Sequence, residues 1–358
     1  MKALIAMSGG VDSSVAALLT QNMGYDCIGC TMKLFDDPST ETARSRTCCA
    51  LEDVEDARSV AFRIGIPYYV FNFKDDFRSK VIEKFIRGYE SGMTPNPCID
   101  CNRYLKFECL FERAQILGCD KIVTGHYARI EFNGKEYVLK KAIDPSKDQS
   151  YFLYSMTQKQ LGRALFPLGA LSKTETRKIA EESGFINADK PDSQDICFVP
   201  NGDYANVIET YTGKCYPAGA FQTQSGKVVG THRGIIHYTV GQRKGLGITS
   251  QKPLYVCAIR AESNTVILGN REDLLSSLCV ASNFHWISRE IPNFPFRCLA
   301  KLRSRQQEQP VTVYPHGTED VRIVFDHPQR AVTPGQAAVL YDGEIVLGGG
   351  EIQRAGDT

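Results

Sequence analysis

The chain has no hydrophobic run approaching the ~18 residues that a membrane-spanning helix needs, so no membrane segment is expected. Its apolar start, Ala3 to Met7, is too short for a secretory leader and runs straight into glycines, which makes the cytosol the expected compartment. It has almost no net charge: 42 Lys and Arg against 41 Asp and Glu leave +1. A nucleic acid would then be held by a local basic patch, not by a global positive field. There is no internal repeat and no low-complexity segment. What is present is a 358-residue chain of ordinary globular composition, long enough for two or three domains. Cysteine is abundant at 13, an odd number spread from Cys27 to Cys298, which is no secreted disulfide framework. Most of these thiols are expected to be small buried hydrophobes.

The most informative string is Ser8-Gly9-Gly10-Val11-Asp12-Ser13-Ser14. It lies between a short apolar run and an apolar-periodic segment, the pattern of a strand, a glycine turn and a helix start. Glycines let backbone approach a ligand, and the amides of a first helical turn attract an anion. Asp12 would repel a bare phosphate and makes sense with a Mg²⁺ between them. No Lys-Ser or Lys-Thr follows the glycines, so this is not the phosphate loop of kinases and GTPases. The string resembles instead the pyrophosphatase loop of ATP-dependent adenylating enzymes, such as GMP synthetase, asparagine synthetase, lysidine synthetase and the tRNA thiolases. That resemblance implies cleavage of ATP between the α and β phosphates, with AMP placed on a carbonyl oxygen.

Strand patterns over 3–7, 27–34, 68–73 and 121–124 alternate with helix patterns over 12–21, 51–64, 75–89 and 104–117. Alternation of this kind predicts an α/β fold with a doubly wound, Rossmann-like parallel sheet, whose ligands bind at the carboxyl ends of its strands. Met7–Asp12, Met32 and Gly125 fall at such ends. Asn133-Gly134 predicts a hairpin with a type I′ turn, and Ser172 with Glu175 predicts a capping box. The expected organisation is a catalytic domain over 1–202 with a helical part from about 145, a small β-rich domain over 203–280, and a C-terminal β-barrel over 281–358.

Two further strings offer thiols. In Met93-Thr94-Pro95-Asn96-Pro97-Cys98-Ile99-Asp100-Cys101-Asn102 the two prolines predict a rigid extended loop, and Cys101 sits where the helix pattern begins, a position that favours thiolate. Asp192-Ser193-Gln194-Asp195-Ile196-Cys197-Phe198 places another cysteine among polar neighbours. Cys27 and Cys30 also stand three apart, but on a strand they face opposite sides and cannot share a metal. Cys48-Cys49 lies in a polar connection with no role assigned.

These strings, with Gly125-His126-Tyr127, Lys147–Tyr151, the run from His232 to Gly247, and Thr333–Ala337, resemble the bacterial tRNA-specific 2-thiouridylases in order and along the whole chain. The resemblance implies thiolation of the wobble uridine of certain tRNAs, those for Lys, Glu and Gln in the family. It places ATP and Mg²⁺ against Ala6, Met7, Ser8, Gly9, Gly10, Val11, Asp12, Ser13, Met32 and Gly125. It makes Cys197 the persulfide carrier and Cys101 the nucleophile that frees the sulfur, ending in a transient Cys101–Cys197 disulfide. A persulfide donor (a cysteine desulfurase or relay protein) and a reductant are then required. Asn96, Pro97 and Cys98 match the target-base contact, and His126, Lys147, Asp148, Gln149, Arg303, Ser304 and Gln336 match tRNA contacts. The family usually has an aromatic at the position of Ser304, so a stacking contact there is not carried over. Lys301, Arg303 and Arg305 alternate on a strand pattern and predict a phosphate-facing stripe.

Some family members carry Asp at the position of Cys98. Cysteine here opens a second route, in which Cys98, Cys101 and Cys197 hold an iron–sulfur cluster with one open iron. A zinc site is disfavoured because four protein ligands are usual. Two other functional classes stay open at this point: an amide-forming ligase with the same loop, and a tRNA-binding or iron–sulfur carrier without turnover.

Overall fold

The computed structural model describes residues 1–35, 51–192 and 195–356, so Cys48, Cys49, Ser193 and Gln194 lie outside the described residues. The first unit is built on strands β1 (Lys2–Ala6), β2 (Asp26–Lys33), β3 (Tyr68–Asn72) and β4 (Lys121–Val123), then a hairpin of β5 (Ala128–Phe132) and β6 (Tyr137–Lys141), then β7 (Ala164–Leu165). The sheet order is β3-β2-β1-β4-β7 with every pairing parallel. The chain direction of travel reverses between β1 and β4, the switch point where α/β sheets open a ligand crevice.

Helices cover both faces. Ala3 and Ile5 of β1, and Met7 just beyond it, pack with Val15, Ala16 and Ala57 of helices α1 (Val11–Asn22) and α2 (Leu51–Arg63). Leu4 and Ile28 face the other way, onto Phe77, Phe85, Leu105 and Leu110. Those four come from two long helices, α3 (74–90) and α4 (97–116), each continuous and each containing a π-helical stretch, Arg78–Ile82 and Cys101–Cys109. Cys27 joins the first cluster and Cys30 the second, as strand alternation requires. Helix α5 (Lys173–Glu182) begins with the expected capping box between Ser172 and Glu175.

The middle unit starts with a helix, α6 (Tyr204–Thr212), where only β texture was expected. Asp203 caps it by accepting from Asn206 N, and Gly213 ends it at φ 64°. Strands β8 (Gly219–Thr223), β9 (Val228–His232), β10 (Tyr255–Arg260) and β11 (Thr265–Gly269) follow in the order β10-β11-β8-β9. Its apolar side is continuous with the first unit: Tyr204 stacks on Tyr89 of α3 at 4.7 Å.

The third unit is a closed antiparallel barrel of β12 (Leu275–Trp286), β13 (Phe296–Lys301), β14 (Gln309–His316), β15 (Asp320–Arg330), β16 (Ala337–Asp342) and β17 (Ile345–Ala355). Pairing of β12 with both β15 and β17 closes it and leaves no edge. Its first strand starts at Leu275, so an expected boundary at 281 would cut that strand. The β5–β6 hairpin extends the barrel sheet through Ile345 and Lys140. Its turn is not type I′: Asn133 is absent from the positive-φ residues, and its Oδ1 accepts from the amides of Lys135 and Glu136 across a four-residue loop.

Candidate functional site

The glycine loop leaves β1 and enters α1 at the switch point. Gly9 has φ 76°, and a side chain there would run into the Asp53 carbonyl of α2. Gly10 is the N-cap of α1 and makes no side-chain capping hydrogen bond. The first-turn amides are thus offered to an external anion instead of being closed by a cap. The Ser13 hydroxyl donates to Gly10 O at 2.9 Å and accepts from Ser8 N at 3.1 Å, which fixes the loop from within. Asn187 fixes it from outside: its Nδ2 donates to Gly9 O and to the Ser14 hydroxyl, both at 2.9 Å. The Asn187 Oδ1 is buried with no hydrogen-bond partner. Gly125, just beyond β4, abuts this helix start, and a Cβ on it would lie 2.8 Å from Asp12 C and Ser13 N. A cradle built from backbone amides and glycines fits a phosphate, and the half-exposed Asp12 beside it is the carboxylate available for Mg²⁺.

Asp12 is also the end of a charged network. Its Oδ1 accepts from Tyr127 Oη at 2.8 Å and from Lys173 Nζ at 2.7 Å. The same ammonium lies 2.7 Å from Asp192 Oδ1. Asp192 also takes Lys147 at 2.8 Å and Arg177 at 3.0 Å. Burial acts to raise the Asp192 carboxyl, but hydrogen bonds from Lys147 and Lys173 outweigh it and bring the pKa down to about 2. Burial, then the charge of Asp12, pushes the Tyr127 phenol far up, so it stays a donor at neutral pH.

Burial sorts the cysteines. It raises the thiols of Cys27 and Cys257 to about 11 and those of Cys279 and Cys298 to about 12, and it raises Cys30, Cys109 and Cys119 as well. Such thiols are poor nucleophiles. Cys98 is exposed, and Cys101 and Cys197 are partly so. The helix carrying the first two begins earlier than its pattern suggested: Pro97 takes the first helical position and Asn96 caps it, accepting from Cys98 N at 3.2 Å. Cys98 therefore occupies the terminal turn, and Cys101 stands one turn further in. Cys197 lies in a short segment anchored by Phe198, whose ring meets Phe77 and Phe85 edge-on at 5.6 and 5.3 Å. Ala6, Met32, Cys101 and Cys197 all pack against one buried cluster. Among the described residues, no three His, Cys, Asp or Glu side chains are gathered to hold a metal. Cys98, Cys101 and Cys197 do not make such a group in this structure.

The expected tRNA contacts divide. Asn96 and Pro97 set the start of α4, with Cys98 at its surface. Lys147, Asp148 and Gln149 form a loop that is heavily bonded inward: Lys147 to Asp192, Asp148 to Ala142 N and the Ser150 hydroxyl, Gln149 to Tyr127 N. His126 is only 6% exposed, packed between Phe107 and Phe166, with Nδ1 2.7 Å from the Thr124 hydroxyl. Burial, then Lys106, lowers its pKa and keeps it neutral. The strand expected over 301–305 stops at Lys301, where β13 ends; Leu302 is buried, and Arg303 and Arg305 are exposed in the bend and turn that follow. Arg303 reaches Thr333 Oγ1 at 2.6 Å and Val240 O at 3.4 Å, bridging barrel and middle unit beside the half-buried Ser304. Gln336 Nε2 donates to Thr94 O at 2.7 Å, and Thr94 N donates to Pro334 O at 2.8 Å. The barrel thereby clasps the loop that leads into Asn96.

Asn187, Lys173, Thr176 and Arg177 went unread in the sequence, and Tyr127 was read only as the end of the string Gly125-His126-Tyr127. Only the capping box marked the turn that carries Lys173, and nothing local marked Asn187.

A parallel α/β domain with a glycine-loop cradle, joined through a small β domain to a closed barrel and bearing Cys98, Cys101 and Cys197 exposed or partly so, defines the class. The first unit matches the model described as tRNA methyl transferase HUP domain over residues 1–201. The tRNA methyl transferase PRC-barrel domain matches 205–270, and the aminomethyltransferase beta-barrel domain matches 276–352. A tRNA-specific 2-thiouridylase MnmA of Acetivibrio thermocellus is 50% identical over 98% of this chain and 99% of its own. Its counterpart in Clostridioides difficile is 47% identical over 99% of this chain and 98% of its own. The chain belongs to the tRNA-specific 2-thiouridylase family.

Proposed function

We propose that the protein catalyses ATP-dependent 2-thiolation of the wobble uridine in the anticodons of tRNAs, those for Lys, Glu and Gln by family resemblance. The observation that carries this reading is the glycine loop at the head of α1, whose Asp12 is linked through Lys173 to Asp192 at the start of the Cys197 segment. The loop amides and Ser13 would hold the pyrophosphate of ATP. Mg²⁺ at Asp12 would neutralise phosphate charge when bound. The uridine O2 attacks the α-phosphate, pyrophosphate leaves, and AMP on O2 becomes a good leaving group. The terminal sulfur of a Cys197 persulfide then attacks C2. The Cys101 thiolate attacks the Cys197 sulfur, the S–S bond breaks toward the base, and AMP departs as the thiocarbonyl forms. A Cys101–Cys197 disulfide remains for a dithiol reductant to reset.

Asn96, Pro97 and Cys98, at the exposed start of α4, would meet the target base, which must leave its stack at a cost of about a few kcal/mol. The inward bonding of Lys147, Asp148, Gln149, Arg303 and Gln336 supports a role in shaping the RNA-facing loops more than in free-standing phosphate contacts. The deeply packed His126 supports the same role. The compartment is taken to be the cytoplasm, where a transient catalytic disulfide is consistent with the redox poise.

Anaerobic purification with iron and sulfide analysis, followed by thiolation of tRNA with ATP and a persulfide donor, tests the route. Full activity in iron-free protein is expected. About four irons per chain with activity that vanishes on their removal would replace the persulfide by a cluster, and no thiolation in either form would sink the functional reading.

A further inference from the structure

Lys173 stands at the first turn of α5, where the capping box holds the backbone rigid: Ser172 N donates to Glu175 Oε2 at 2.7 Å and Glu175 N donates to the Ser172 hydroxyl at 3.2 Å. Its side chain is 11% exposed, so its charge depends on protein partners and not on water. Those partners are two carboxylates on different segments. Asp12, 2.7 Å away, belongs to the nucleotide loop, and Asp192, also 2.7 Å away, opens the segment that carries Cys197. The face of Tyr127 lies 5.9 Å from the ammonium, and the Tyr127 hydroxyl binds both Asp12 and Thr176 of the next turn of α5. Asp192 is bound further by Lys147 and Arg177, while Phe198 pins the far side of Cys197 between Phe77 and Phe85. Cys197 thus lies between one apolar anchor and one ionic anchor, and the ionic anchor shares its ammonium with the nucleotide loop.

The geometry points to Lys173 as the residue that couples nucleotide binding at the Ser8–Ser13 loop to the position of the Cys197 segment. This rests on the reading above, in which that loop takes ATP and Cys197 carries sulfur. A magnesium nucleotide brings both a cation for Asp12 and phosphate oxygens for Lys173. Either one loosens the Asp12–Lys173 pair, and a nearly buried ammonium that loses one carboxylate must redistribute onto Asp192 or onto phosphate. The Asp192 anchor then shifts with nucleotide occupancy. Sulfur transfer would be timed to follow adenylation, because the thiol segment is set by the same side chain that senses the phosphates. Lys173 is a positioning residue in this scheme: it acts on the sulfur through Asp192.

The test is site-resolved alkylation of the full chain by iodoacetamide, read by mass spectrometry, with and without α,β-methylene-ATP and Mg²⁺. The exposed Cys215 in the middle unit serves as internal reference. A coupling of about 1 kcal/mol predicts that the analogue changes the Cys197 rate about five-fold in the wild type. Lys173→Met, at an analogue concentration that equilibrium dialysis shows to saturate it, should lose that response, and Lys173→Arg should restore most of it. Lys173→Met leaves Lys147 and Arg177 on Asp192, and leaves the Tyr127 hydroxyl on the partly exposed Asp12. Asp192→Asn is the second variant and should uncouple in the same way from the other end. A Cys197 response that persists in Lys173→Met, or is absent in the wild type with analogue bound, overturns the coupling alone. A wild type that binds no analogue overturns the nucleotide reading itself.

Discussion

The nucleotide loop and the two cysteine segments are held by different means. The loop is fixed largely by its own short sequence: Ser13 braces Ser8 and Gly10, and Gly9 and Gly125 allow α2 and β4 to close in. The cysteine segments are fixed from far away. The lead-in to Cys98 and Cys101 is clasped by Gln336 and Pro334 of the barrel, and the Cys197 segment is tied by Asp192 to three cations on two other segments. A site that must bind the same phosphates every time is served by a local, rigid cradle. In the proposed function, the site that would admit a base, receive sulfur and form a disulfide is served by anchors that several elements share.

The sharpest break of that contrast is Gly9→Ala, which adds left-handed strain and a clash with Asp53 and should destabilise the fold by about 2–4 kcal/mol. Gly10→Ala is its control: at φ −88°, with the nearest atom 3.5 Å from an added Cβ, it should keep the fold and weaken only nucleotide binding. Urea midpoints and ATP titrations on the pair separate the two effects. Asn187→Ala comes next, since it removes both donors to Gly9 O and Ser14 and should lose about 1–3 kcal/mol of stability along with nucleotide affinity. Gln336→Ala should be milder, about 1 kcal/mol, and should raise the KM for tRNA while sparing that for ATP. An equal effect on both constants would show that the barrel clasp serves the whole site.

The smallest effect is one of pH. Asp192, held at about 2 against an ordinary value near 3.9, contributes stability that is fully present above pH about 4 and is lost as pH falls toward 2. Asp192→Asn should therefore lower stability at neutral pH and flatten the acid limb of a stability–pH curve. An unchanged acid limb would show that the ionic anchor contributes nothing.

The parallel sheet, the loop, the capping box and the barrel were legible because each is written in consecutive residues. The start of α4 was misread because Pro97 looked like a loop residue, while Asn96 makes it the first residue of a capped helix. The strand over 301–305 was misread for a related reason: the alternation mimics a strand, yet β13 stops at Lys301 and Arg303 spans two units. Asn187 and Lys173 were invisible because their partners, Gly9 and Asp12, lie more than a hundred residues away in the chain. No period or spacing reports a pairing of that kind.

The most direct measurement follows both products of ATP in one reaction: AMP and pyrophosphate on one side, 2-thiouridine in tRNA on the other, for wild type and Cys197→Ser. The wild type should form one AMP and one pyrophosphate per thiolated uridine. Cys197→Ser should still release pyrophosphate in the presence of tRNA and make no 2-thiouridine. Thiolation that survives Cys197→Ser, or ATP cleaved to ADP and phosphate, would contradict the account.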